Sequence, residues 1–209
     1  MDSDALQNYQ YYRQRRLDQL NQFCKQRLNG INELTLEIGC GHGHFLTAYA
    51  EAHSQEFCLG IDRISKRIRK ANEKVDKRAL KNILFIKADS SEFFSVLPIS
   101  VKIPKLFLLF LDPWPKKRHL KKRIIQQDFL NKLSQRMPSK SQLFFRTDHC
   151  DYWKWTLGHL ETNPYWHESN HSWPFEQETY FQKIMGDYQS LIATRNEMES
   201  SKSLQNGIL

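Results

Sequence analysis

The sequence predicts an α/β protein with a mostly parallel central sheet, helices on both faces of the sheet and an additional N-terminal helix. From residue 33 onward, short apolar runs alternate with polar stretches of helical spacing, a pattern typical of parallel strands joined by crossover helices. The run from Leu106 to Leu111 is apolar throughout, which predicts a central strand buried on both faces. A chain of 209 residues fits one such domain.

The N-terminal region precedes this alternation. Its apolar side chains recur at helical spacing among many polar residues, so we expect an amphipathic helix over 6–28. Asn29 and Gly30 are residue types that end helices. The chain is therefore divided into an N-terminal helical extension over 1–32, a main domain over 33–196, and a polar tail over 197–209 that is expected to be mobile.

The elements of the main domain follow from local patterns of apolar residues, turn residues and charge. Strands are expected over 34–38, 57–61, 82–88, 106–111 and 142–146, with a final strand near 187–194. Helices are expected over 43–52, 65–80, 90–97, 121–137 and 150–162, while 163–175 shows no clear period. Because ligands of parallel sheets bind at the carboxyl ends of the strands, we expect the functional residues there.

The charge of the chain favours a polyanionic partner. Lysine and arginine total 31 against 23 for aspartate and glutamate, which gives a formal net charge of +8. A positive excess suits nucleic acid because each neutralised phosphate releases condensed counterions. The four cysteines are widely spaced and include no C-x-x-C pair, so we expect free thiols, with neither a zinc ribbon nor a disulfide framework.

Two features bear on the location of the protein. The longest apolar run, Leu106 to Leu111, has six residues, whereas a helix needs about 20 apolar residues to cross a bilayer. The N-terminus, Met1 to Asp4, is acidic and lacks the basic and apolar segments of a signal peptide. We therefore expect a cytoplasmic protein without a membrane partner.

The first strand of the main domain ends in a glycine-rich turn. Gly39, Gly41 and Gly43 stand at alternate positions, and glycine allows close approach to a ligand because it has no Cβ. A dinucleotide fingerprint would have its third glycine at position 44, where this chain has His44. The G-x-G-x-G spacing therefore argues against a pyrophosphate cradle and against a dehydrogenase.

Carboxylates are expected at three successive strand ends. Glu37 precedes the glycine turn, Asp62 ends the second strand and Asp89 ends the third. Glu37 could face an ammonium group, Asp62 could accept hydrogen bonds from both hydroxyls of a ribose, and Asp89 could accept one from an exocyclic amine. Any one of these acids alone would more simply be a solvated loop residue or a helix cap. Together they predict S-adenosylmethionine as the ligand more readily than a dinucleotide.

The fourth strand is followed by a stiff and basic loop. Two prolines flank Trp114, so we expect Asp112 and Lys116 to be held with little ordering cost on binding. Six of the eight residues in 116–123 are Lys or Arg. A run of charge is often only a solvated face, but here it lies at the ligand end of a central strand in a basic chain. We therefore interpret it as a nucleic-acid contact.

From about Thr35 to Arg195 the sequence resembles the bacterial-type tRNA (guanine-N7-)-methyltransferases, which are Rossmann-like enzymes that use S-adenosylmethionine. The most specific element is the stretch from Asp112 to His119, which is similar to the family motif P-D-P-W-x-K-x-R-H. Leu111 stands here in place of the leading proline. The resemblance implies a Rossmann-like methyltransferase fold, methyl transfer to N7 of a guanine in the variable loop of tRNA, and tRNA as partner.

The resemblance also implies roles for individual residues. It assigns cofactor binding to Glu37, Asp62 and Asp89, the central catalytic role to Asp112, and contacts with the tRNA guanine to Lys116, Asp148, Thr179 and Gln182. The last of these departs from the family motif T-x-x-E, because Gln182 offers an amide oxygen that accepts a hydrogen bond without charge assistance. Glu176 and Glu178 lie close by in the sequence and are candidates to compensate.

Two alternative functions stay open. Enzymes that methylate exocyclic base amines carry D/N-P-P-aromatic loops at the same strand end, and the loop from Asp112 to Pro115 has these residue types in another order. A tRNA-binding protein without turnover is the second alternative, because Gln182 replaces the family carboxylate.

One further pattern points to different chemistry. The stretch from His167 to His171 matches H-E-x-x-H, which binds zinc only when both histidines lie one turn apart on a helix. Pro164 before it and Trp173-Pro174 after it disfavour a long helix. A polar loop is expected here, and no metal.

Overall fold

A computed structural model of the protein describes residues 3–177 and 187–197. Its elements in chain order are α1 (Ser3–Arg27), β1 (Glu33–Ile38), α2 (His44–Ala52), β2 (Cys58–Asp62), α3 (Ser65–Arg78), β3 (Ile83–Lys87), α4 (Ser90–Val96), β4 (Lys102–Leu109), a 3-10 helix (Lys117–Lys122), α5 (Gln127–Ser134), β5 (Gln142–Thr147), α6 (Cys150–Glu161), β6 (Trp166–Glu168) and β7 (Gln189–Arg195). Apart from Asn196 and Glu197, the region after β7 lies outside the described residues.

Within the described residues, seven strands form one sheet in the order β3-β2-β1-β4-β5-β7-β6. Strands β1 to β5 are parallel, and β7 runs antiparallel between β5 and β6. The predicted α/β fold with a mostly parallel sheet is therefore confirmed. The three-residue strand β6 falls in the stretch for which no period was found, because three residues are too few to show alternation.

Helices cover both faces of the sheet, as predicted. Helices α2 and α3 pack on one face, and α1, α4, α5 and α6 pack on the other. Strand β4 contributes to both cores: Leu106 and Leu108 point to the face of α1, while Phe107 and Leu109 point to the face of α2. This alternation explains why the run is apolar throughout.

Two elements differ most from the predictions. Strand β4 begins at Lys102 and ends at Leu109, because Phe110 adopts a positive φ of 51° and takes the chain out of the strand. The helix predicted over 121–137 is wrong in its first part. A 3-10 helix ends at Lys122, the chain is extended at Arg123, and α5 begins only at Gln127.

None of the described helices combines the length and the apolar character that crossing a bilayer requires.

Candidate active site

An acidic residue lies within three residues of the carboxyl end of each of the five parallel strands. Because the strand order is β3-β2-β1-β4-β5, these residues follow one another along one edge of the sheet in the order Asp89, Asp62, Glu37, Asp112 and Asp148. The chain reverses its direction across the sheet between β1 and β4, where parallel α/β sheets open a ligand crevice. The predicted cofactor residues thus share one half of this edge, and Asp112 and Asp148 share the other half.

Glu37 is a buried carboxyl group at the centre of this edge. The residue is 4% exposed, and its Oε2 has no hydrogen-bond partner among the described residues. Burial, assisted by repulsion from Asp62, raises the pKa of Glu37 to about 8, against a smaller opposite effect of the Leu46 backbone N–H. A buried polar atom without a partner is costly, and its position marks a place where a donor or cation of a ligand would be bound.

The glycine turn after β1 contains glycines for two different reasons. Gly39 and Gly41 both have positive φ, 76° and 55°, a region that other residues rarely adopt. A Cβ at position 39 would lie 2.2 Å from Cδ2 of Leu111, the end of a flexible side chain that can shift, so the positive φ is the main reason for glycine there. A Cβ at position 43 would lie 2.6 Å from the Phe85 ring and 2.8 Å from Cβ of Ala71, so Gly43 is enclosed by protein atoms. A Cβ at position 41 would meet nothing within 4 Å. The backbone at Gly41 therefore borders open space.

Asp62 ends β2 and organises the glycine turn. Its Oδ2 accepts a hydrogen bond from the Gly41 backbone N–H at 3.1 Å and a longer one from Arg67 at 3.5 Å. Its Oδ1 accepts one from the Ile64 backbone N–H at 2.8 Å. A carboxylate has about four acceptor positions, so Oδ1 retains a position for the predicted contact with a ribose. The structure adds a second role for Asp62, which is to fix the turn at Gly41.

Asp89 follows β3 and caps α4. Its Oδ1 accepts hydrogen bonds from the backbone N–H and the hydroxyl of Ser91, at 2.9 and 2.8 Å. Its Oδ2 lies 3.8 Å from Nε of Arg63. The capping interaction uses one oxygen, which leaves the other for the predicted contact with an exocyclic amine.

The loop after β4 is held in a strained conformation. Phe110 and Trp114 have φ values of 51° and 45°, which are uncommon for bulky residues and cost about 1–3 kcal/mol each. The Phe110 backbone N–H donates to the carbonyl of Arg146 at 2.9 Å, and Nζ of Lys122 lies 4.4 Å from the centre of the Trp114 ring. Such strain clusters at functional sites, and here it presents Asp112 as an exposed residue.

Arg123 corrects one part of the interpretation of the basic run 116–123. The residue is 3% exposed, and its guanidinium donates to the carbonyls of Pro113 at 2.7 Å and Asp151 at 3.3 Å. Two aromatic rings flank the same guanidinium. Arg123 is therefore an internal anchor of the loop that carries Asp112 and is not available to a nucleic acid. The other five basic residues of the run are exposed.

The residues predicted to contact guanine are only partly described. Lys116 and Asp148 are exposed, after β4 and β5 respectively. Thr179 and Gln182 lie outside the described residues, so their assignment stays a prediction.

Arg146 is a buried, paired cation near the end of β5 that the sequence analysis did not single out. Its buried guanidinium donates to both carboxylate oxygens of Glu176, at 3.0 and 2.5 Å, and to the hydroxyl of Ser190 at 2.9 Å. The ring of Trp173 stacks on it at 3.7 Å. Glu176 is therefore already bound, which weakens the idea that it replaces the family carboxylate at Gln182. The only sequence signal was a basic residue inside an apolar strand, which indicates a charge with a buried partner.

The H-E-x-x-H pattern does not lie on a helix. His167 is part of β6 and its ring is hydrogen-bonded to the side chain of Asn196. His171 lies in the loop that follows, with its ring hydrogen-bonded to Ser169. In an extended chain residues four positions apart are separated by about 13 Å, which is too far for both rings to bind one zinc ion, whereas one helical turn brings them together. In the described part of the chain, no three metal-ligating side chains form a group.

Solved structures of methyltransferases share this fold. An rRNA methylase from Streptococcus thermophilus superposes with a TM-score of 0.54, covering 87% of this chain and 94% of the other at 11% identity. Precorrin-6y C5,15-methyltransferase from Geobacter metallireducens gives a TM-score of 0.53, covering 80% and 82% at 12% identity. At such identities the likeness concerns the fold alone.

Relatives among curated proteins are more similar in sequence. The tRNA (guanine-N(7)-)-methyltransferase of Rhodospirillum rubrum is 30% identical over 177 residues, which are 85% of this chain and 65% of the relative. That of Rhodopseudomonas palustris is 29% identical over 159 residues, 76% of this chain and 61% of the relative. The chain thus spans less than two thirds of the length of these relatives.

A family model described as "Putative methyltransferase" matches residues 31–199. The match begins just before β1 and includes all five parallel strands with the acidic residues at their carboxyl ends. The chain belongs to this methyltransferase family.

Proposed function

We propose that this protein transfers the methyl group of S-adenosylmethionine to N7 of a guanine in tRNA. The curated relatives carry this activity in their names. One structural observation carries most weight: the buried Glu37, whose Oε2 has no partner among the described residues, and the exposed Asp112 lie at or shortly after the ends of adjacent strands on either side of the crevice. The choice of a guanine in the variable loop rests on the family resemblance.

The residues of the crevice fit S-adenosylmethionine. Oε2 of Glu37 lacks a partner among the described residues, which suits an ammonium group, and Gly41 borders open space. Asp62 and Asp89 each keep acceptor capacity for a ribose and for an adenine amine. We therefore assign cofactor binding to Glu37, Gly41, Asp62 and Asp89. The assignment of Gly39 and Gly43 rests on the glycine pattern of the sequence, because a Cβ at either position would meet protein atoms. When bound, the cofactor supplies a methyl group activated by the neighbouring sulfonium.

The chemistry on the RNA side requires little from the protein beyond alignment. Guanine N7 carries an in-plane lone pair and needs no deprotonation before it attacks a methyl group. The task of the chain is to orient the base, which removes an entropic barrier, and to offset the positive charge that develops on it. Asp112 suits both tasks, because its carboxylate accepts hydrogen bonds from guanine and lies on a loop anchored by Arg123.

Substrate contacts are assigned on the same side of the crevice. Lys116 and Asp148 are exposed beside Asp112 in the strand order, where they can bind the guanine and its phosphate. Thr179 and Gln182 complete the assignment from the family resemblance. The exposed part of the basic run, from Lys116 to Lys122, suits the RNA backbone because it concentrates positive charge next to the loop.

Methyl transfer from isotope-labelled S-adenosylmethionine to bulk tRNA tests this function. Wild-type protein is expected to transfer the labelled methyl group to tRNA. Asp112→Ala is expected to bind the cofactor normally but to transfer the methyl group far more slowly. Asp128→Ala, which changes an exposed acid of α5 that has no role in the proposed site, serves as the control. Cofactor binding without any labelling of tRNA by the wild type would instead favour a tRNA-binding protein without turnover.

Two further proposals concern the location of the protein and the division of the chain. We infer a cytoplasmic location, because tRNA is modified where it is transcribed and used. We also infer that residues 1–32 form an extension of the methyltransferase domain over 33–196, since α1 precedes the first strand and contacts α4, with 197–209 as a tail.

A further inference from the structure

Helix α1 is longer than the first strand of the sheet on which it packs. Its 25 residues span about 37 Å, whereas the six residues of β1 span about 20 Å. The two elements are joined by the short segment 28–32, so the C-terminal end of α1 lies at the amino edge of the sheet. The helix is therefore about 17 Å longer than the strand, so its N-terminal part reaches toward the opposite edge, where the crevice opens.

The contacts of Arg16 fix where the helix leaves the domain. Its guanidinium donates to both carboxylate oxygens of Glu92, at 2.7 and 3.0 Å, in the first turn of α4. That turn directly follows Asp89 at the carboxyl edge of β3. The hydrogen bond to Glu92 is the main reason why the pKa of Arg16 is raised, with smaller contributions from Tyr9 and Asp89. Residues 4–15 of α1, here called the arm, thus project beside the cofactor half of the crevice.

The arm continues the core-facing stripe of α1 without a core beneath it. Leu20, Cys24 and Leu28 follow the stripe in the buried part, and the same helical spacing of three and four residues leads back through Arg16 to Arg13 and Tyr9. Tyr9 is 61% exposed, and Arg13 is exposed as well. A well-defined face of the arm therefore presents a tyrosine ring and a guanidinium on the side of the helix that faces the domain.

The charge of this face indicates which partner it fits. Between residues 4 and 16 the arm and Arg16 carry three arginines and one acid, Asp4. In the described part of the chain, no ion pair involves Arg13 or Arg15. A second copy of the chain would place arginines against arginines across a two-fold axis, which is unfavourable. Nucleic acid instead offers phosphates for arginine and bases that stack on tyrosine.

We propose that the arm is a second RNA-binding element, in which Tyr9 stacks on an unpaired base or ribose and Arg13 binds a phosphate of the same tRNA whose guanine enters the crevice. This inference rests on the proposed function. It adds a contact on the β3 side of the crevice, opposite the basic loop that follows β4, so that the tRNA would be held from both sides.

The test compares two faces of the same helix. The inner-face variant combines Tyr9→Ala with Arg13→Gln. The outer-face variant combines Tyr11→Ala with Arg15→Gln, the same residue types displaced by about 200° around the helix. All four side chains are exposed, so both variants are expected to keep the thermal midpoint and the helix content of the wild type. The measurements are tRNA affinity across a salt series, methyl-transfer kinetics, cofactor affinity and sedimentation.

The inner-face variant is expected to lose about tenfold in tRNA affinity, as alanine replacement of a stacking aromatic does. Its log–log salt slope should flatten by about 0.7–0.9 for the lost phosphate contact. The KM for tRNA should rise, while kcat and cofactor affinity stay unchanged, and the outer-face variant should match the wild type.

Three outcomes would overturn the inference. Unchanged tRNA affinity in the inner-face variant, with active wild-type protein, would refute the arm as an RNA contact while leaving the proposed function intact. Equal losses of tRNA affinity in both variants would show that the charge of the helix attracts RNA without a defined contact face. A dimer that the inner-face variant dissociates without loss of RNA affinity would identify a second copy as the partner. Wild-type protein that labels no tRNA would refute the proposed function itself.

Discussion

Replacement of Glu37 by glutamine is expected to stabilise the ligand-free protein, by an amount that grows with pH. Burial and the neighbouring Asp62 raise the pKa of Glu37 from its ordinary 4.5 to about 8. The unfolded chain therefore loses this proton near pH 4.5, while the folded protein retains it until about pH 8. Stability that is fully present below pH 4.5 is lost as the pH rises through this window, because the unfolded state then binds fewer protons than the folded state.

The size of the effect follows from the pKa difference. One pKa unit corresponds to about 1.36 kcal/mol, so wild-type protein is destabilised by about 3 kcal/mol at pH 7 and by about 5 kcal/mol above pH 8. This is a large part of the 5–15 kcal/mol that is usual for a domain. The amide that Glu37→Gln introduces does not titrate. A difference in packing between the two side chains that does not depend on pH would shift the whole curve of unfolding free energy against pH without changing its slope.

Urea unfolding between pH 5 and pH 9 measures this difference directly. The free energy of unfolding of Glu37→Gln minus that of the wild type is expected to rise by about 1.36 kcal/mol per pH unit up to about pH 7.5. Glu33→Gln is the matched control, because Glu33 is the exposed first residue of the same strand. A difference that does not change with pH would refute the buried, proton-retaining state of Glu37, as would an equal slope in the control.

Four other variants separate the roles of the remaining residues. Arg123→Met should lower the free energy of unfolding by about 3 kcal/mol, because two carbonyls lose a charged donor. The double variant Lys121→Gln with Lys122→Gln should leave thermal stability nearly unchanged but should flatten the salt dependence of tRNA binding. Asp62→Ala should weaken cofactor binding by about 1.5–3 kcal/mol in calorimetry, and unchanged affinity in a folded variant would contradict the assignment. Asp112→Asn should reduce kcat with unchanged cofactor affinity; a parallel loss of cofactor binding would show that Asp112 faces the cofactor.

The sheet and its acidic edge could be predicted because their signals are local. Each parallel strand is a short apolar run that stops at a polar residue, and the α/β alternation fixes that all five runs end at one edge. These signals suffice to place Glu37, Asp62 and Asp89 at neighbouring strand ends from the residues alone. The strand order then adds what the sequence does not contain, namely that Asp112 is beside Glu37 across the point where the order reverses.

The predicted exposure of Arg123 and the predicted helix over 121–137 are wrong because burial there depends on residues far apart in the chain. Arg123 stands in a run of charge and looks like its neighbours, but its partners are carbonyls at Pro113 and Asp151, and no local pattern reveals them. The same reason explains why the helix predicted over 121–137 begins late, since the buried Arg123 holds the chain in an extended conformation. The positive φ of Trp114 could not be predicted either, because glycine is the residue type that indicates this conformation in a sequence.

The proposed function is tested most directly by locating the transferred methyl group within tRNA. Methylation at N7 leaves the imidazole ring of guanine positively charged, which makes that nucleotide susceptible to borohydride reduction and aniline-induced chain cleavage. After incubation of unmodified tRNA with wild-type protein and S-adenosylmethionine, a single cut at a guanine in the variable loop is expected, and no cut with Asp112→Ala. Methyl incorporation that produces no cleavage would contradict the account, because it would place the methyl group on an exocyclic amine or another atom.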